Sequence, residues 1–281
     1  MSTVVLTAGV KLSVLADDVL HAAGRLWFAV AVAGQLMLAA YVAWFYGSTA
    51  VQGRAEQWSQ VLTRGHVRGD AAGNTAIVVH LLAAVILVVG GAVQFVPHMR
   101  ERFPRFHRLT GRVYVTTAVA TAVAGLYLTW IRGTRGDLSQ YIGGTVNAVL
   151  ILVCAFLALR SALTGRFDAH RRWVLRLFMV VSAAWFYRVG LFLWVLLNQG
   201  PAGFDPATFQ GPALTFISFA NSLVPLAVLE LYLFAQRRAG TAGRLATAAA
   251  LFVLTVAMGI GIFAAATGMW LPIIRTGHPN F

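Results

Sequence analysis

Seven stretches of this chain are apolar for long enough to cross a bilayer, and that count limits the fold more than any motif does. A hydrocarbon core about 30 Å thick is spanned by roughly 20 helical residues rising about 1.5 Å each. Runs of that length are expected near residues 25–46, 76–97, 110–131, 143–163, 173–197, 212–235 and 245–270. In lipid each backbone N–H and C=O must find a partner within the protein, which continuous apolar runs achieve as helices. The expected fold is therefore all-α: a polytopic integral membrane protein of seven transmembrane helices. It forms a single domain over residues 1–281, with helices two to five as a four-helix core. Composition agrees, because 59% of residues are hydrophobic and only 11% are charged. The mean hydropathy is +0.74, more apolar surface than a water-soluble domain can bury.

The formal charge of +13 lies in short loops between these runs. It reads as topology and attraction to anionic lipid headgroups, not as a nucleic-acid surface. The second loop carries Arg100, Arg102, Arg105, Arg108 and Arg112; the fourth Arg160, Arg166, Arg171, Arg172 and Arg176; the sixth Arg237, Arg238 and Arg244. Against these stand Arg54, Arg64 and Arg68 in the first loop, Arg132 and Arg135 in the third, and none in the fifth. The positive-inside rule then puts the even loops and the amino terminus in the cytoplasm and the carboxyl terminus outside, in a bacterial-type inner membrane. Trp27, Trp44, Trp130, Trp173, Trp194 and Trp270 fall near the ends of runs, as an aromatic belt does. The lone cysteine, Cys154, lies inside an apolar run and reads as a small core residue. Asp17 and Asp18 precede the first run, so a cleavable signal peptide is not expected. Two outer segments, 47–74 and 198–212, are polar or rich in turn residues and read as connectors or lids.

Chemistry is sought first among the seven histidines. His21, His66 and His278 fall in loops or tails, and His98 in an interfacial Pro97-His98-Met99-Arg100 turn. His80 lies about one turn into the second helix. His107 and His170 open the third and fifth helices from the arginine-rich side, within Arg105-Phe106-His107-Arg108 and Asp168-Ala169-His170-Arg171-Arg172. Two imidazoles starting from one side of a bundle are able to hold one metal between them. Three readings stay open for the pair: haem ligation, another metal or proton role, and contact with lipid phosphate.

The run Arg-Phe-Pro-Arg-Phe-His-Arg-Leu-Thr-Gly-Arg-Val-Tyr (102–114), with His80 before it and Ala169-His170-Arg171-Arg172-Trp173 after it, resembles the bacterial membrane family catalogued as domain of unknown function 2306. The likeness covers roughly helices two to five and brings no activity with it. More distantly the chain resembles diheme cytochromes b-561, whose histidines open four consecutive helices and pair alternately. His80, His107 and His170 take the second, third and fifth places, but the fourth helix opens with Tyr141-Ile142-Gly143-Gly144-Thr145-Val146-Asn147 and has no histidine. The resemblance therefore implies at most one haem b, between His107 and His170. Its propionates would meet Arg108, Arg112, Arg171, Arg172 and Arg176. The Gly90-Gly91 and Gly143-Gly144 pairs would leave room for the ring.

Arg188 lies 18 residues beyond His170, about 27 Å along an ideal helix. An arginine that deep is costly and is normally paired or functional. Together with His80, Tyr187, Asn147 and Asn221 it outlines a polar pocket for a quinone-like or small anionic ligand, weighed against a purely structural network. Glu230 is the one acid well inside an apolar run and is expected to pair with Arg112 or Arg176. Gln35 and Gln94 are expected to bond between helices. No nucleotide loop, dinucleotide fingerprint, zinc-protease helix or nucleophile elbow is present. The leading expectation is a membrane electron-transfer or redox protein, with oxidoreductase activity left open. The alternative is a transporter or small-molecule- or lipid-binding protein using the same histidines and arginines.

Overall fold

A computed structural model describes residues 2–62, 64–134 and 136–276, with side chains from residue 11 onward except at Pro97 and Arg100. His278 and Arg135 lie outside the described residues. The described chain is helical almost throughout: α1 (Ser2–Val51), α2 (Ala71–Gln94), α3 (Pro97–Arg102), α4 (Pro104–Tyr127), α5 (Leu138–Leu163), α6 (Phe167–Val181), α7 (Ala183–Leu197), α8 (Pro212–Arg238), α9 (Thr241–Ala265) and α10 (Leu271–Thr276). Wider π turns extend α4 through Leu128–Arg132 and join α9 to α10 through Ala266–Trp270.

Five helices, α4 and α9 counted with their extensions and α1 from Lys11, are each long and apolar enough to span a membrane, as is α8, which makes six. The pair α6 and α7, bent by 50° at Ser182, passes the same test only when taken together, which makes six or seven candidate spans. The protein is an all-α polytopic membrane protein. Its spans run past the expected limits at most ends. The first run, expected at 25–46, is the middle of the 50-residue α1, and residues 47–51 and 71–74 of the supposed outer segment belong to α1 and α2.

The fifth run departs most from expectation, because 173–197 is not one rod. The Ser182 hydroxyl donates to the Phe178 carbonyl at 2.7 Å and accepts from Gln35 Nε2 at 3.0 Å. A serine hydroxyl that competes for the carbonyl one turn back bends a helix. The bend is thus fixed from α1, whose Gln35 is 2% exposed. Pro225, inside α8, leaves that helix continuous.

Two cores hold the bundle. One joins α2, α4, α5 and α6 around Leu87, Tyr114, Ala118, Ile151, Cys154 and Leu177, which is the four-helix unit expected from the sequence. The larger one packs α1 against α9, with aromatic residues of α1, α6 and α7 between them. Without a solvent-driven force between helices in lipid, such packing depends on close backbone approach and interhelical polar bonds. Gly143 provides one approach: a Cβ there would lie 2.6 Å from Ser218 Oγ and 2.9 Å from its carbonyl oxygen.

Candidate functional site

The end of the bundle away from the arginine-rich loops holds a cavity of about 240 Å³. Its walls come from the end of α4 (Thr129), from α5 (Gln140, Tyr141, Gly144), from α7 (Tyr187) and from α8 (Ser218, Asn221), with Phe209 of the 198–211 segment at its edge. Two of the expected ligand-binding residues, Tyr187 and Asn221, therefore line one space. Asn147 lies one turn below Gly144 on α5 and is not among the lining residues. The Asn147 and Asn221 side-chain oxygens and His80 Nδ1 are all buried without a hydrogen-bond partner. Orphaned polar atoms in an interior are costly, and each marks a place where water or a ligand can complete the bonding.

Arg188 is half-buried on α7, next to Tyr187. Its guanidinium donates to the Ala184 carbonyl one turn back, at 2.8 Å. Its charge reaches Tyr41 and Tyr46 of α1, His80 of α2 and Tyr187. Tyr41 and Tyr46 are 2% and 5% exposed, and His80 faces α4 beside Gly125. The bend at Ser182 means that the path from His170 to Arg188 is not a straight 27 Å rod.

The same end is capped by two segments. The stretch between α1 and α2 folds back as a 3-10 turn, Ala55–Gln60. It buries Trp58, whose indole donates to Thr49 at 2.8 Å and meets Tyr46 edge-on. This stretch is locked by a site that the sequence did not reveal. Arg132 is 6% exposed; its Nε lies 3.2 Å from Asp70, and its Nη2 donates to Asn74 at 2.9 Å. Asp70 also caps α2 by accepting from the Gly73 N–H at 2.8 Å, and Arg64 donates to the Arg132 carbonyl at 2.6 Å. The only available signal was Asp70 three residues before Gly73, a capping position; as a loop arginine, Arg132 gave none.

The 198–211 segment covers the cavity side. Gln140 donates to the Phe209 carbonyl at 3.0 Å and Gln210 to the Gly136 carbonyl at 3.3 Å. Phe209 has a φ of 58°, a left-handed conformation that is a genuine outlier for a bulky residue. It is held there by the Asp205 turn, in which the Phe209 N–H meets the Asp205 carbonyl at 2.8 Å. The Ala207 N–H and the Thr208 hydroxyl, both bonded to its carboxylate, hold Asp205 below its ordinary value of 3.8. Asp137, which caps α5, is lowered in the same way by the Ser139 hydroxyl and the Gln140 N–H.

At the arginine-rich end, His107 lies in the first turns of α4. Its carbonyl accepts from Gln94 Nε2 and from the Thr110 hydroxyl, each at 3.3 Å, so Gln94 does bridge helices as expected. His170 is in the first turn of α6, and its Nδ1 lies 2.9 Å from the Ala158 carbonyl of α5. A carbonyl only accepts, so Nδ1 carries the proton and Nε2 the lone pair in the neutral ring. Arg176 is committed elsewhere: its Nε and Nη2 meet Glu230 at 2.6 and 2.9 Å, the pairing expected for Glu230, and it stacks 4.6 Å over Trp173. Arg108, Arg112 and Arg171 are exposed, while Arg172 lines an open pocket of about 420 Å³ with Arg166 and Asp168.

A haem between His107 and His170 would find in His170 a ring placed as a ligand's is, because a metal-bound imidazole usually donates its second nitrogen to a carbonyl, as His170 does to Ala158. It does not fit in the cradle imagined for it. A Cβ on Gly91 would meet the Phe178 ring at 3.2 Å and Tyr114 at 3.4 Å, so side chains already fill that space. Gly143 faces α8 rather than the middle of the four-helix unit. Helices α4 and α6 have no extended contact, and α5 packs on both. Among the described residues no group of three or more metal-ligating side chains occurs.

Compared with known proteins, residues 77–233 match the family model described as predicted membrane protein (DUF2306), more than half of the chain. No curated protein and no solved structure matches. The distant likeness to diheme cytochromes b-561 thus rests on histidine positions alone.

Proposed function

This chain belongs to the DUF2306 family of predicted membrane proteins, and on that premise we propose that it binds a small molecule within the membrane, in the cavity bounded by α4, α5, α7 and α8. The observation that carries this reading is the buried, unpartnered side-chain oxygen of Asn221, which lines that cavity. Tyr187 and Asn221 form part of its walls. By the positive-inside rule the arginine-rich end faces the cytoplasm of a bacterial-type inner membrane, so the ligand enters from outside. The test is thermal unfolding of the purified protein in lipid nanodiscs with decylubiquinone and, separately, with benzoate. A ligand at 100 times its Kd stabilises a fold by about 2.7 kcal/mol. Gly144 has open space where its Cβ would stand, and Gly144→Phe fills the cavity, so it should cancel the shift. No shift with either probe in the unmodified protein overturns the reading.

A second reading, electron transfer through a haem b held by His107 and His170, is favoured by the His170–Ala158 hydrogen bond, which leaves Nε2 as the ligating nitrogen. When bound, such a group passes single electrons between a donor and an acceptor such as a quinone. Arg108, Arg112, Arg171 and Arg172 are the cations available to its propionates, since Arg176 is held by Glu230. A reducible Soret band, lost in both His107→Ala and His170→Ala, is the expected result. A colourless preparation after haem-replete expression overturns it.

A further inference from the structure

The polar walls of the cavity between α4, α5, α7 and α8 are hydroxyls and amides, and several have already given their protons to the backbone. The Tyr141 hydroxyl donates to the Thr134 carbonyl at 2.7 Å and accepts from the Thr134 N–H at 3.2 Å. Gln140 donates to the Phe209 carbonyl at 3.0 Å, and the Ser218 hydroxyl to the Thr215 carbonyl at 2.7 Å. What stays open on α8 is the capacity to accept. The Ser218 oxygen keeps a lone pair, and Asn221 Oδ1 is buried with no donor. Three residues apart, these two share one face of the helix. Across from them α5 closes in at Gly143, where a Cβ would lie 2.6 Å from Ser218 Oγ, and leaves open space at Gly144.

We infer that the ligand of this cavity is an uncharged hydroxyl compound, with its O–H given to Asn221. This rests on the cavity reading above and narrows it. A buried acceptor is satisfied only by an O–H or N–H, and the oxygens of a quinone or a carboxylate bring no proton. Among the described residues no wall carries a carboxylate, guanidinium or ammonium group. A charged ligand would lose its hydration there without a counter-ion, at far greater cost than a bonded hydroxyl. A hydroxyl also accepts, so Tyr187 and Thr129, on the other walls, have an oxygen to donate to. Size limits the ligand as well: the cavity of about 240 Å³ holds the equivalent of about eight waters at ~30 Å³ each. The part inside the protein is therefore no larger than a short chain or a single ring. Two sources share this chemistry, a compact soluble alcohol and the hydroxyl head of a lipid whose tail lies in the bilayer.

The test compares benzyl alcohol with benzyl methyl ether and benzoate, and 1-octanol with methyl octyl ether and octanoate. Kd is measured by calorimetry in nanodiscs at neutral pH, with empty nanodiscs subtracted. At least one alcohol should bind ten-fold or more tightly than both its ether, which lacks the proton, and its carboxylate, which carries the charge. Asn221→Leu keeps most of the side-chain volume without the oxygen, so alcohol and ether should then bind alike, and thermal unfolding of the unliganded variant checks its fold. Binding led by benzyl alcohol identifies a compact soluble ligand, and binding led by 1-octanol a lipid-borne one. Ethers or carboxylates that bind as tightly as the alcohols, and still lose binding in Gly144→Phe, overturn the hydroxyl compound while the cavity stands. Binding that ignores Gly144→Phe overturns the cavity reading itself. An alcohol preference that survives Asn221→Leu, or no binding by any of the six compounds, overturns the inference as well.

Discussion

The two ends of this bundle hold their arginines in opposite ways. At the arginine-rich end the cations are many, mostly exposed, and paired near the surface: Arg176 with a Glu230 that is 51% exposed, and Arg244 with an Asp17 that is 44% exposed. At the other end Arg54, Arg64, Arg68 and Arg275 are exposed too, but two arginines lie deeper. Arg132 has a side chain 4% exposed, closed over by Asp70 and Asn74, and Arg188 is half-buried with the Ala184 carbonyl of its own helix as partner. Solvated charge sets orientation and contributes little to stability, whereas desolvated charge must be answered by a specific partner. The sparse end is therefore where substitutions should be felt.

The largest effect should come from Arg132→Met. Removing one member of a buried pair typically costs about 3–5 kcal/mol, and the partial exposure of Asp70 puts this site toward the lower figure. Thermal unfolding should show it, and the Arg132→Met, Asp70→Asn double variant should recover part of the loss. A drop no larger than that of a surface arginine would erase the contrast between the ends. Next is Phe209→Gly. A non-glycine residue held at positive φ stores of order 1–3 kcal/mol, so glycine offsets some of the lost packing, and stability should change by less than about 1 kcal/mol while ligand entry in stopped-flow binding becomes faster. Unchanged entry with a large loss of stability would mean that Phe209 is only packing. At the other end Glu230→Gln should cost at most about 1 kcal/mol and less at high salt, because the pair is half-exposed and Arg176 keeps its stack on Trp173. The smallest effect concerns pH. The carboxyl of Asp205 sits below its ordinary 3.8 in the folded protein, so its contribution is present above that value and fades as pH falls through the lower folded one. Ligand entry should be flat between pH 8 and 5 and should quicken only in strong acid; a change near neutrality would point to a histidine instead.

Much of this was legible in the sequence, for stated reasons. Spans follow from apolar length alone, which is why the seven runs give six spanning helices and one bent pair. Glu230 with Arg176 and Cys154 in the core were readable because each is a single exception in an apolar stretch. The bend at Ser182 was not legible. No proline or glycine marks it, and it depends on Gln35, 147 positions away. Nor was the Arg132–Asp70 clamp, since both residues stand at run ends where hydropathy sees only loop charge. The glycine pair Gly90–Gly91 misled because open backbone in one helix says nothing of the Phe178 ring that another helix places against it.

The bend at Ser182 also has a mechanical consequence. It divides one crossing into two arms of 15 residues each, about 22 Å long. The lower arm is pinned at its base by the His170–Ala158 bond, while the upper arm carries Tyr187 and Arg188 and runs directly into the segment that covers the cavity. A swing of about 5° about Ser182 moves the tip of a ~22 Å arm by about 2 Å, enough to displace the cover without disturbing the base. The fulcrum is held from outside the crossing by Gln35 of α1, so α1 sets how freely the arm swings.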